Sequence, residues 1–165
     1  LYIRAIQLSD TPLIVKWKDD PYTRKMSVGV DTEITTDNQE RDIARSIVSD
    51  NEVYLIIVLK ATNKPIGYIR LNWLDDNRRL GWLRFGLGEE RGHGYAREAL
   101  RATITKFFKN GLHRIDAEVF EFNHRSHGLL QDLGFKHEGT RRLAHYTNEG
   151  FYNIYILGLL DSEWV

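Results

Sequence analysis

EERGHGYAREALRATITKFFKNG, residues 89 to 111, is the stretch on which the fold turns. Gly92 and Gly94 stand one residue apart, with Arg91 just before them. Ala96, Leu100, Thr103 and Phe107 follow at helical spacing, and Ile104 and Phe108 widen the stripe. Asn110-Gly111 is a helix-ending pair. The segment therefore reads as a loop that lets backbone approach something, feeding a long helix. A helix start of this kind leaves amide N–H groups unpaired, with the positive end of the helix dipole behind them, and that makes an anion pocket. Glycine at 92 and 94 removes the β-carbons that would hold a phosphate away, and Arg91, Arg97 and Arg101 add local positive charge. A ligand-free tight turn is the competing reading of a lone glycine pair, so context has to decide.

Upstream, EVYLIIVLK, IGYIRLNW and RRLGWLRFGL are three strand-like runs separated by turn signals at Asn63 to Pro65 and Asp75 to Asn77, which predicts an antiparallel meander. YIRAIQL reads as an opening strand. Ser9 or Asp10 is placed to cap a short helix carrying Leu13, Ile14 and Trp17. No period is clear from Pro21 to Thr35. Thr36 to Gln39 has capping-box spacing ahead of Ile43 and Ile47, and this region reads as a surface cover, not as core. Downstream, HRIDAEVFEF predicts a strand, Asn123 caps a helix bearing Leu129, Leu130 and Leu133 that Gly134 ends, and the remainder predicts a hairpin.

With 165 residues, 42% of them hydrophobic, and no repeat or linker, the chain is predicted to be one domain spanning 1–165. Lys plus Arg and Asp plus Glu are both 23, so no global basic field favours nucleic acid or an anionic membrane. The absence of cysteine excludes disulfides, thiolate catalysis and sulfur-bound metals. No apolar run of membrane-spanning length and no leader pattern is visible, so a cytoplasmic protein is expected.

Three phosphate motifs compete for the glycine loop. The Walker loop fails because no Lys-Ser or Lys-Thr follows the glycines. The dinucleotide fingerprint half fits, with Asp116 near the distance for a ribose acid, but Arg97 stands where its third glycine belongs and the strands before it read as a meander. The third pattern has Arg or Gln, then Gly three positions on, then Gly or Ala two further, and Arg91, Gly94 and Ala96 match it. Here the chain resembles the GNAT superfamily of acyl-CoA-dependent N-acetyltransferases. FNHRSHGLLQDLGF resembles that family's downstream motif, with Asn123, Ser126 and Gly134-Phe135 in their places. The ending HEGTRRLAHYTNEGFYNIYILGLLDSEW is similar to the branch of ribosomal-protein N-terminal and polyamine acetyltransferases.

The resemblance implies an α/β fold with a splayed, mostly antiparallel central sheet and helices on both faces. It implies that Arg91, Gly92, His93, Gly94, Tyr95 and Ala96 hold the coenzyme A pyrophosphate, with Asn123 and Ser126 beside them. The splayed strand segment Phe85, Gly86 and Leu87 would polarise the thioester carbonyl through a backbone N–H, and Gly86 suits a bulge there. The activity implied is transfer of acetyl from acetyl-CoA to a primary amine, a protein N-terminus first. A polyamine, aminosugar or antibiotic acceptor is the alternative, as is a non-catalytic acetyl-CoA sensor. No metal is called for, and a homodimer is left open.

Two bases are on offer, His145 and Glu118. His145 is placed first because it occupies the position of a catalytic glutamate in the ribosomal-protein branch. Glu118, five residues before Asn123, matches the base of another group of N-terminal acetyltransferases, although a strand carboxylate paired with Arg114 or Lys136 is its plain alternative. The tyrosine that many members use as acid is replaced at the corresponding position by Leu130, and Ser126 is the substitute donor to the sulfur. His93, His124, His127 and His137 show no metal-ligand spacing.

Overall fold

The expected meander forms β2 (Glu52–Leu59), β3 (Lys64–Trp73) and β4 (Leu80–Leu87) in the computed structural model, which describes residues 1–165. β1 (Tyr2–Ala5) adds antiparallel to β2. β5 (Arg114–Phe120), β6 (Lys136–Thr147) and β7 (Gly150–Leu160) complete a seven-stranded sheet in the order β1-β2-β3-β4-β5-β7-β6. Every pairing is antiparallel except β4 with β5, and that one lasts three residues: Leu80 opposite Arg114, Gly81 opposite Ile115 and Trp82 opposite Asp116. Past Trp82 the two strands part, β4 staying with β3 and β5 leaving with β7. The sheet is splayed at its middle.

The bulge expected at Gly86 is absent. The β3–β4 ladder runs without a register shift from Gly67 opposite Leu87 to Trp73 opposite Gly81. Gly86 serves packing instead: a β-carbon there would come within 3.0 Å of the Tyr68 ring.

Strand alternation gives the sheet two apolar faces. Ile57, Ile69, Leu71, Leu83, Ile115 and Leu157 face α4 (Tyr95–Lys109), which contributes Ala99, Leu100 and Ile104, and α5 (His124–Asp132), which contributes Leu130. The opposite face carries Tyr54, Ile56, Val58 and Tyr68, packed on Ile14 and Trp17 of α1 (Thr11–Asp19) and Ile43 of α3 (Thr36–Val48). The region from Pro21 to Ile47 is thus not merely a cover: Ile43 is fully buried, alongside Ile14 and Trp17 of α1. The sequence reading missed this because α3 shows only Ile43 and Ile47 on its stripe.

Two boundaries also differ. The capping box sits on Thr35 and Asn38, whose side chains each accept the other's backbone N–H, one residue before the expected start. The aperiodic segment contains the short helix α2 (Pro21–Thr23), whose Thr23 N–H donates to the Asp20 carboxylate, followed by a π-helical turn over Arg24–Val28.

Candidate active site

The glycine loop is left-handed at alternate positions, with φ of 58° at Glu90, 90° at Gly92 and 80° at Gly94. Alternation of this kind turns successive N–H groups to one side as an anion-binding nest. Gly94 is the N-cap of α4, and no side chain caps it. The N–H groups of Gly94, Tyr95, Ala96 and Arg97 meet no acceptor within the protein. A β-carbon at Gly92 or Gly94 would find nothing within 4 Å, so the glycines are needed for their conformation and for the open space over them, not for internal packing.

That space is a cleft of about 490 Å³ between the N-terminal ends of α4 and α5. Phe85, Gly86, Leu87, Arg91, Gly92, Gly94, Tyr95, Ala96, Asn123 and Ser126 all line it, so most of the residues implied by resemblance meet here. His93 lies outside the lining: it is exposed, beside Tyr95 and within 3.8 Å of Glu90.

The arginines are distributed differently from their expected role. Arg91 donates to the Leu87 carbonyl at 3.0 Å and to the Thr23 hydroxyl at 3.1 Å, and its guanidinium lies over the Tyr22 ring. It bolts the loop to α2. Arg97 pairs with Asp132 at 2.8 Å, and Arg101 lies over Trp164. Arg125, which the sequence reading passed over, lines the cleft from the first turn of α5 with no carboxylate partner.

The strand beside this cleft presents free amides without any bulge. Gly88 donates its N–H to Ile66 of β3, so Gly86 also faces β3, and alternation turns Phe85 and Leu87 toward the gap left by β5. The Leu87 carbonyl on that side is the one Arg91 takes. The N–H groups of Phe85 and Leu87 remain, aimed into the splay.

A second cleft, of about 300 Å³, fills the gap between the parted strands and shares Met26, Ser27, Phe85, Asn123 and Ser126 with the first. Glu118 lines it, as do Tyr68, Trp82, Arg84 and Phe120. The Glu118 carboxylate sits 3.3 Å from the Arg141 guanidinium, not with Arg114, which binds Asp116 and Glu138, nor with Lys136, which binds Glu163.

His145 lines neither cleft. Its ring is stacked on Phe120, centroids 3.7 Å apart and planes 7° from parallel, and burial presses its pKa below the ordinary 6.5. Ser126 lies at the junction of the clefts, its N–H donated to the Asn123 side chain and its hydroxyl without a partner in the protein. Leu130 is core, and the tyrosines on the first cleft are Tyr22 and Tyr95. Asn123 is buried and doubly engaged, accepting from Ser126 and donating to the Met26 carbonyl at 3.1 Å.

Behind the second cleft, on the α1–α3 face, Arg70 is gripped by Asp42 at 2.6 Å and Glu52 at 2.7 Å. Burial alone would raise the Asp42 carboxyl, but the hydrogen bonds and charge of Arg70 outweigh it and hold the group at about 2. Lys18, over the Tyr68 ring, is lowered to about 8, chiefly by burial.

Against known proteins, the family model described as an acetyltransferase (GNAT) domain matches residues 1–136. The uncharacterized N-acetyltransferase p20 of Bacillus licheniformis is 29% identical over 174 residues, covering 99% of this chain and 94% of its own length. The spermidine N-acetyltransferase of Vibrio cholerae, solved with CoA and spermine, superposes with a TM-score of 0.88 at 20% identity, over 98% of this chain and 96% of that one. The ribosomal-protein-S5-alanine acetyltransferase of Vibrio fischeri gives 0.81 at 23% identity, over 99% and 94%.

Proposed function

The chain belongs to the GNAT acetyltransferase family and is an acetyl-CoA-dependent N-acyltransferase, and from that premise we propose that its acceptor is a protein N-terminal amine and that Glu118 is the base. The observation that carries this reading is the junction of two clefts at the splay, one edged by unpaired loop amides and the other by a single carboxylate.

The residues present fit coenzyme A. Free amides at 94 to 97 and the Arg125 cation suit its phosphates, and a cleft of about 490 Å³ is of ligand size. When bound, acetyl-CoA supplies an activated carbonyl and a thiol leaving group. The N–H groups of Phe85 and Leu87, free at the splay, would stabilise the charge gained by that carbonyl oxygen, and the unpartnered hydroxyl of Ser126 would donate to the departing sulfur.

The acceptor amine must arrive neutral. Deprotonating a lysine-like amine of pKa ~10.4 at pH 7 costs about 4.6 kcal/mol, whereas an α-amine near ~8 costs about 1.4 kcal/mol, at 1.36 per pKa unit. One carboxylate shared with Arg141 is adequate for the second task. It is a poor match for a polyamine, each of whose cations wants an acidic partner, and Arg84 stands in the same cleft. The preference between the two candidate bases thus moves to Glu118 on position, because His145 reaches the cleft only through Phe120.

The test is a panel of short peptides with free N-termini, polyamines, aminosugars and aminoglycoside antibiotics, incubated with acetyl-CoA and read by mass. Peptide N-termini are expected to gain an acetyl group fastest. Faster acetylation of spermidine would replace the acceptor class, and tight coenzyme binding with no acetylation anywhere would mean a sensor.

A further inference from the structure

Arg84 is a cation without a carboxylate. On the same face of the sheet, Arg70 holds both Asp42 and Glu52, and neither of those acids is in contact with Arg84. Its contacts are one hydrogen bond donated to the Asn72 side chain and the face of the Trp82 ring at 4.4 Å. Its Nε is buried with no partner at all. Burial and the neighbouring Arg70 charge lower its pKa from the ordinary range, the direction expected for a cation that lacks compensation. Leaving a buried charged donor unmatched is costly, and such groups are seldom kept without use.

Its position is as informative as its isolation. Trp82 opposite Asp116 is the last β4–β5 pair, so two residues further on Arg84 and Glu118 occupy equivalent places on the diverging strands, on the same face. Both line the second cleft, yet they do not pair with each other: Glu118 turns to Arg141. The cleft therefore has a negative wall and a positive wall with space between. Other charges facing this region strengthen the positive side, since Lys18 stands over Tyr68 while Asp42 and Glu52 are already taken by Arg70.

We propose that the acceptor carries a carboxylate near the amine that is acetylated, and that Arg84 selects it across the splay from Glu118. This rests on the reading that the amine enters the second cleft. The amine then lies on the Glu118 wall and the carboxylate on the Arg84 guanidinium, so the ligand spans the two walls as a dipole. A carboxylate of this kind belongs either to an acidic side chain at the start of a peptide or to a free amino acid.

The experiment measures kcat/KM for peptides Ser-Xaa-Ala-amide with Asp, Asn or Lys at the second place, for free serine and for spermidine, using the full chain with acetyl-CoA. Calorimetric titration of the Asp and Lys peptides accompanies it. The Asp peptide is expected to exceed the Asn peptide roughly tenfold or more, the scale of one charged hydrogen bond, and the Lys peptide by more than that. Arg84→Gln should level the series, Arg84→Lys should keep it, and Arg84→Glu should turn it toward Lys. Free serine ahead of the peptides would assign the carboxylate to an amino acid, and the Asp peptide ahead of both free serine and the Lys peptide would assign it to a side chain. Equal rates and affinities for the Asp and Lys peptides in the wild-type protein, with free serine no better than either, would overturn the inference even if Arg84→Gln failed to fold, as would a preference that survives Arg84→Gln. Acetylation of none of these amines would overturn the reading of function beneath it.

Discussion

Glu118 and His145 each offer a proton-accepting atom within one corner of the sheet, and what each packs against separates their roles. Glu118 looks into the gap between β4 and β5, while His145 lies flat on Phe120 behind that gap. A positioned base contributes about 10²–10⁴ in rate, so Glu118→Gln should lower kcat by roughly 10²-fold or more, and His145→Ala only slightly. The pH profile carries a second check. His145 has its pKa lowered by burial, so its neutral form is favoured in the fold; if it were the base, rate would be lost as pH falls through a value below 6.5 and His145→Ala would erase that limb. The same sign applies to stability: the His145 contribution is full above about 6.5 and is lost as pH falls. A near-normal Glu118→Gln beside an inactive His145→Ala would return the base to the hairpin. At this scale the conformation of the glycine loop was legible in the sequence, because Gly92 and Gly94 have a mechanical reason to be glycine. Arg91 was legible as a motif residue but not as a clamp, since its partners Thr23 and Tyr22 lie about 70 positions away and no local pattern reports them.

Asn123 is where separate elements are tied. Its carbonyl oxygen caps α5 at Ser126, and its amide holds the carbonyl of Met26 from the aperiodic segment, so one buried side chain fixes both the start of α5 and the wall shared by the two clefts. Asn123→Ala removes the cap, worth about 1 kcal/mol, and leaves the Met26 carbonyl to find another donor. Urea unfolding is expected to show a loss of roughly 1–3 kcal/mol, and KM for acetyl-CoA should rise because the wall holding Met26 and Ser27 loosens. A loss of stability with KM unchanged would mean that Asn123 is a cap and nothing more. The elements themselves were largely readable: the meander, α4, α5 and the closing hairpin came from period and turn residues. The segment from Pro21 to Thr35 was not, because a π-helical turn has no sequence period of its own and is held from outside by Arg91 and Asn123.

The whole molecule is a sheet with two cores and a fault between its halves. α4 and α5 pack one face and α1 and α3 the other, and the two clefts meet where the β4–β5 pairing ends after Trp82. The sequence implied the splay only through family resemblance, and it gave the wrong local cause, since the β3–β4 ladder is regular at Gly86. Two strands of ordinary composition part because each has a better partner on its other side, and pairing choices of that kind are global.

Under the proposed function the glycine loop and the first turn of α4 hold acetyl-CoA. Thermal melting of the wild-type protein and of Gly94→Asp, each with acetyl-CoA and with NAD, tests it most directly. A ligand at ~100 times its dissociation constant adds about 2.7 kcal/mol to the native state, which raises the Tm of a chain this size by about 5–10 °C. Gly94→Asp places a negative charge over the free amides at a φ of 80° that aspartate tolerates at a cost of about 1–2 kcal/mol, so it should fold. The predicted result is a shift with acetyl-CoA in the wild-type protein, no shift with NAD, and no shift with either in the variant. An equal acetyl-CoA shift in folded Gly94→Asp, or a shift with NAD and none with acetyl-CoA, would contradict it.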